Sequence, residues 1–443
     1  MQFKIINLEY NQNSKLLFEL FSRKNHAVFL DSSISAKFPE TRFDIISFEP
    51  YKILTTFSEI KENINITNFK KTREDIPFYP GAIGFFSYEA NDESFKINNS
   101  IENDLEFPLI QVGLYAFAII IDHKKKLSYL IYDMDKISEF YPNNYIEELL
   151  NNISNITENK NNKRIKSEAK FIPDIDKEKY KEQFNEVKNL IKQGECYQIN
   201  LTQRFTLKNF PFNEDFTSWD LYKKLNEINP APFSAYLKLD NNNSIISLSP
   251  EKFIEIKDNI IKTKPIKGTI KRSNDKKQDE LNKQELLNSK KDFAENTMIT
   301  DLLRNDLNMC SQIGSVKVEK LCALETYPAV HHLVSTISAK NNNMHPVDVF
   351  KTCFPGGSIT GAPKKRAIEI INNTETTRRN IYCGSIAYFS ADGSMDSSIT
   401  IRTLLQKDNN LYLWSGGGIV MKSELESEYS EVFAKIKKII EAV

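Results

Sequence analysis

The sequence predicts an α+β fold with antiparallel strands, on three observations. Short runs alternating apolar and polar residues recur along the chain. Several are joined by turn formers: 122–125 (DHKK), Asp258-Asn259, Asp392-Gly393 and 408–410 (DNN). Strands joined that tightly are antiparallel. A smaller number of segments place apolar residues at helical spacing. The 443 residues also exceed one simple core, so two large subdomains are expected, 1–150 and 173–443, around a linker at 151–172.

Composition narrows the function classes. Hydrophobic residues make up 40% and aromatic residues 11%, as in globular proteins. Lys+Arg and Asp+Glu are both 59, so neither nucleic acid nor an anionic membrane is an expected partner. No apolar run nears the roughly 20 residues of a membrane span; the longest, 112–121, is strand-sized. The start MQFK lacks a signal-peptide pattern. Five scattered cysteines (196, 310, 322, 353, 383) without a CxxC read as reduced thiols, so a cytoplasmic protein is expected.

In chain order, 27–32 (AVFLDS) reads as a buried strand, and 112–121 and 127–132 as a hairpin. His26 and His123 have no catalytic company and read as structural. The polar, Asn/Lys-rich stretch after residue 150 is the linker. A helix follows, capped by Asp176, with Tyr180, Phe184, Val187, Leu190 and Ile191 on one face and Gly194 at its end. Residues 197–205 alternate as a strand, as do 234–239, 244–249 and 253–256. The charged segment 271–292 is helical in its second half, and 293–307 is an amphipathic helix. Residues 316–318 and 333–337 read as strands, and Pro346 opens a short helix. The loop 354–364 (FPGGSITGAPK) leads into a helix and can hold an anion, but its spacing is not that of a phosphate loop. Strands are expected at 381–389, 397–405 and 411–414, then a glycine run at 416–418 and a final helix from about Glu424.

The chemistry is expected around 264–269 (KPIKGT), where Pro265 fixes φ, Gly268 admits close approach, and Lys267 lies between them. A lysine in such a lysine-rich chain is ordinarily a solvated surface group; its company decides otherwise. Glu251 ends a strand sixteen residues earlier, and a hairpin can bring the two together as acid and nucleophile. Asp292/Glu295 and Glu428/Glu431 are acidic pairs three apart on helices. Each pair alone is compatible with a solvated helix face, yet two pairs facing one cleft can hold Mg²⁺. Arg402, placed inside a strand, either faces solvent or forks onto a carboxylate.

The segments SPEKF, PIKGT, DFAENTMITDLLRND, YPAVHHLVS, FPGGSITGAPKKRAIEII, YCGSIAYFS, ITIRT and GGGIVMKSELESEYSEVF occur in that order. Together they resemble the chorismate-utilising enzymes, densely from about 175 to 440. Residues 1–150 resemble the anthranilate synthase component I-like region more loosely. The resemblance implies large antiparallel sheets packed as a sandwich, with helices outside and two intertwined subdomains. Lys267 in PIKGT, where the anthranilate-forming branch usually has alanine, implies amination of chorismate at C4, for 4-aminobenzoate and folate. Gln198 stands where the water-using branches carry lysine, which argues against hydroxyl transfer. The implied roles are Lys267 as covalent nucleophile and Glu251 as acid. Arg402, Tyr382, Gly417 and Gly418 would hold the enolpyruvyl carboxylate, with Thr360 and His332 lining the pocket. Mg²⁺ would sit on Glu295 and Glu431, with Asp292 and Glu428 nearby. Leu425 replaces the family's usual proline without shifting a ligand. No glutaminase nucleophile motif is present, so ammonia is expected from a separate glutamine amidotransferase.

Overall fold

The computed structural model describes every residue except 1, 34–37, 39–40, 65, 67–72, 98, 157–168 and 328–329. Two large sheets, antiparallel throughout, organise it. The first has twelve strands. Its path runs Phe3–Leu8, Leu127–Asp133, Phe117–Asp122, Phe43–Ser47, Val28–Asp31, Phe233–Lys238, Asn243–Ser249, Thr403–Lys407, Asn410–Val420, Gln198–Leu207 and Gly361–Ala362, and the twelfth strand, Ile172–Pro173, pairs with Gln198–Leu207 off this path. The second has ten strands. Its path runs Ile266–Lys271, Val330–Lys340, Ile260–Thr263, Lys252–Lys257, Met395–Ile399, Ser385–Phe389, Ala82–Phe86, Ile110–Leu114 and Lys52–Leu54, and the tenth strand, Lys317–Thr326, pairs with Val330–Lys340 off this path.

Both sheets take strands from either side of the expected linker. Val28–Asp31 pairs with Phe233–Lys238, and Ala82–Phe86 with Ser385–Phe389. The apolar faces merge into one continuous core. The linker stretch begins inside a helix, Tyr145–Ser154, and ends in the short strand Ile172–Pro173; residues 157–168 lie outside the described set.

Three helices shape the site. Lys290–Asn308 packs on Ile266–Lys271 and Val330–Lys340, while Lys177–Lys192 and Leu425–Ala442 pack on Asn410–Val420. Asp176 caps the second of these as its sequence position predicts, its carboxylate accepting from the Lys179 N–H. No helix among the described residues is long and apolar enough to cross a membrane.

Two expectations need correction. The run 397–405 is not one strand: Met395–Ile399 belongs to the second sheet and Thr403–Lys407 to the first. Arg402 sits in the crossing between them, at φ +52°, rather than inside a strand. Both halves carry the same alternation, so periodicity alone could not reveal the break. The strand expected at 411–414 is also longer than its alternation suggests. Asn410–Val420 continues through the glycine run, with Gly416, Gly417 and Gly418 opposite Thr202, Leu201 and Asn200.

Candidate active site

Lys267 is aimed by a bulge. Ile266 pairs with Val334, but the next pairing is Thr269 with His332, so the register slips across Lys267 and Gly268. An extra residue in one strand re-aims its side chain. Gly268 has φ +86°, and a Cβ there would lie 2.9 Å from the Asp292 Cβ, so only glycine suits the position. The Lys267 Nζ lies 3.1 Å from Glu295 Oε1 and donates to the Ser358 carbonyl at 3.3 Å.

Glu251 stands where the chain leaves Asn243–Ser249 in one sheet for Lys252–Lys257 in the other. It is buried, and the Ser358 hydroxyl donates to its Oε1 at 2.7 Å. Burial raises its pKa; the Ser358 hydrogen bond and the Lys267 charge pull it back only in part. Ser358 therefore holds both groups: its hydroxyl holds the acid and its carbonyl holds the amine. Spacing could not single it out, although it lies inside the predicted loop 354–364.

The Arg402 guanidinium has no side-chain partner among the described residues, and burial lowers its pKa. A backbone in the left-handed region and a half-buried cation without a side-chain partner among the described residues mark a strained position typical of binding sites. His332 lies beside it. Burial, then the Arg402 charge, pushes its pKa down to about 4, so the imidazole is neutral. Its Nδ1 is 2.7 Å from the Thr269 hydroxyl. Thr360 is buried, and its hydroxyl donates to the Gly356 carbonyl at 3.0 Å. Tyr382 is buried, and desolvation holds its phenol neutral.

One member of each acidic pair approaches the glycine strand. A Cβ on Gly417 would sit 3.1 Å from Glu428 Oε2, and one on Gly418 would sit 3.2 Å from Glu295 Oε1. A Cβ on Gly418 would also lie 2.5 Å from the Gln198 Nε2. Gln198 is fully buried and neither of its amide atoms has a partner, which leaves hydrogen-bonding capacity facing this wall. Glu428 is buried and accepts from the Ser423 hydroxyl at 2.7 Å; burial, and then the Glu431 charge, raise its pKa. For Glu431 burial acts upward, but Lys435 at 2.8 Å and the more distant Lys291 and Lys267 outweigh it and lower the pKa. Lys435, a helical turn beyond Glu431, also donates to the Gly416 carbonyl at 2.9 Å. That i, i+4 relation was available to sequence reasoning and was missed.

Asp292 is turned to its own helix end, accepting from the Ser289 hydroxyl, while its N–H donates to that oxygen at 3.2 Å. Among the described residues, no three His, Cys, Asp or Glu side chains converge tightly enough to hold a metal ion. The donor set is nevertheless all oxygen, and Glu428 and Glu431 repel each other. Such a set suits a hard divalent cation such as Mg²⁺. A separate cavity of about 140 Å³, lined in part by Asp31, Ser32, Phe233, Tyr388 and Asp396, contains none of these residues.

A model of chorismate-binding enzymes matches residues 31–441. The chain belongs to this family. This family member is 38% identical to aminodeoxychorismate synthase component 1 of Escherichia coli, with 98% of this chain and 97% of that one aligned. Anthranilate synthase component 1 of Acetivibrio thermocellus is 33% identical over 83% of this chain and 75% of that one. The solved anthranilate synthase component I of Streptococcus pneumoniae superposes with a TM-score of 0.80 at 29% identity, covering 90% of this chain and 92% of that one.

Proposed function

We propose that the chain is an aminodeoxychorismate synthase component 1. In this reading it converts chorismate and ammonia to 4-amino-4-deoxychorismate, with ammonia supplied by a separate glutamine amidotransferase. The observation that carries it is Ser358 joining a buried acid and an amine: Glu251 on its hydroxyl, Lys267 on its carbonyl. Lys267 is the branch-specific residue of the PIKGT segment. The full-length relatedness to enzymes of that name supports the same assignment.

Arg402 would take the enolpyruvyl carboxylate, its charge being uncommitted. Tyr382 and the Gly417–Gly418 backbone would flank it, while Thr360 and neutral His332 would line the pocket. The Lys267 amine, its ammonium proton given up to solvent, adds to ring carbon C2. As that bond forms, the C4–O bond breaks, and Glu251 gives its proton to the departing oxygen, which leaves as water. Ammonia then attacks C4, the C2–N bond breaks, and the electron pair returns to Lys267. The proton lost by the ammonia nitrogen restores Glu251. Glu295 and Glu431, with Glu428 and Asp292 nearby, would hold Mg²⁺, which supplies positive charge toward the ring carboxylate. Gln198 would offer its free amide to the incoming nucleophile. All five cysteines are free and buried, consistent with placing the protein in the cytoplasm.

Chromatography of the product made from chorismate, Mg²⁺ and ammonium tests the assignment. The expected product is 4-amino-4-deoxychorismate. Anthranilate in its place would move the chain to the neighbouring branch.

A further inference from the structure

Lys188 lies on Lys177–Lys192, a helix whose other lysines are either exposed or engaged with carboxylates. It has no carboxylate partner among the described residues. Its Nζ instead donates to three backbone carbonyls of one turn: Val420 at 3.3 Å, Ser423 at 3.0 Å, and Met421. Three carbonyl dipoles converging on one point repel one another unless a cation sits among them, and bonds from a charged donor are the strong kind. The Lys188 ammonium is that cation.

The turn links two parts of the site. Upstream, the strand Asn410–Val420 carries Gly417 and Gly418. Downstream, the helix Leu425–Ala442 carries Glu428 and Glu431, and its first turn has no capping side chain of its own. Within the turn, the Ser423 hydroxyl accepts from the Val420 N–H at 3.1 Å and donates to Glu428 Oε1 at 2.7 Å. The chain of contact is therefore Lys188, the turn carbonyls, Ser423, then Glu428.

We propose that Lys188 is a positioning residue. It fixes the 420–423 turn so that Ser423 orients Glu428 and the following helix presents Glu431 toward the opposite acidic side chain, Glu295. The proposal rests on the reading of these carboxylates as a divalent-cation site. Residues that orient metal ligands from behind cost metal affinity when removed, typically about 10–100-fold.

The test uses Mn²⁺ as a paramagnetic probe. Free Mn²⁺ is followed by electron paramagnetic resonance with the full chain and no substrate, alongside thermal unfolding and Mg²⁺-dependent turnover. Lys188→Met is expected to weaken Mn²⁺ binding about tenfold and to raise the Mg²⁺ concentration for half-maximal activity by the same factor. Turnover at saturating Mg²⁺ should stay near wild type, and Lys188→Arg should restore most of the affinity. Ser423→Ala should reproduce the weakening, which keeps the test decisive if Lys188→Met fails to fold. Unchanged Mn²⁺ affinity in folded Lys188→Met, or a lowered Tm as its only effect, would overturn the positioning role while leaving the cation site standing. Absence of Mn²⁺ binding by the wild-type chain would remove the cation site and this proposal together.

Discussion

Ser358→Ala separates the acid from the amine. The substitution deletes the hydroxyl that donates to Glu251 at 2.7 Å, but it keeps the backbone carbonyl that receives Lys267. A hydrogen bond to a carboxylate favours its charged form and lowers its pKa. Such bonds are worth about 1.5–3 kcal/mol, and one pKa unit corresponds to about 1.4 kcal/mol. Glu251 is already raised by burial, and loss of the hydroxyl raises it further. As a general acid, Glu251 must be protonated, so activity falls as pH rises through its pKa. The alkaline limb of kcat/KM for chorismate should therefore move to higher pH by about one to two units. The assay is initial rate across pH with free ammonia held constant. An alkaline limb that stays in place, or moves to lower pH, would refute Glu251 as the acid under Ser358 control, whatever the drop in rate.

Lys267→Ala should lose about 10²–10⁴-fold in formation of the 4-amino product. It should also lose any chorismate-derived adduct seen by intact mass, and residual product should shift toward 2-amino-2-deoxychorismate or anthranilate. The same 4-amino product made more slowly, with Lys267→Arg largely active, would reduce Lys267 to a positive charge. Glu295→Gln and Glu431→Gln should each abolish turnover with little change in Tm; near-wild-type rates for either, or full activity in EDTA, would dismiss these ligands. The purified chain should use ammonium and ignore glutamine, and glutamine-driven product from the chain alone would remove the need for a partner.

What sequence reasoning recovered and what it missed divide along physical lines. The Asp176 cap, the Asp258-Asn259 and Asp392-Gly393 turns and the amphipathic helices are local, so nearby residues encode them. Lys267, Glu251 and Arg402 stand out in the sequence because each lies in a distinctive segment, and the structure places Lys267 and Glu251 on one serine. The two sheets were not separable. Asn243–Ser249 and Lys252–Lys257 read as successive members of one hairpin series, yet the chain changes sheet at Pro250-Glu251, and nothing in an alternating pattern records which sheet a strand joins. Asp292 illustrates a different ambiguity. An acid three residues after Ser289 serves a helix cap as well as an ion, and the capping geometry is the one present.

The strand pairing also governs how the chain can be made. Gln198–Leu207 lies between Gly361–Ala362 and Asn410–Val420, and Val28–Asp31 waits for Phe233–Lys238. During synthesis, the early strands emerge long before their neighbours exist. No amino-terminal half can close its sheet edges by itself, so exposed edges must be shielded until distant partners are translated. Contacts of such long sequence separation fold slowly. The wall formed by Gly417 and Gly418 is thus among the last parts of the enzyme to be assembled. A nascent chain stalled before residue 410 would carry Lys267 and Glu251 with neither the Gly417–Gly418 backbone nor the second acidic pair.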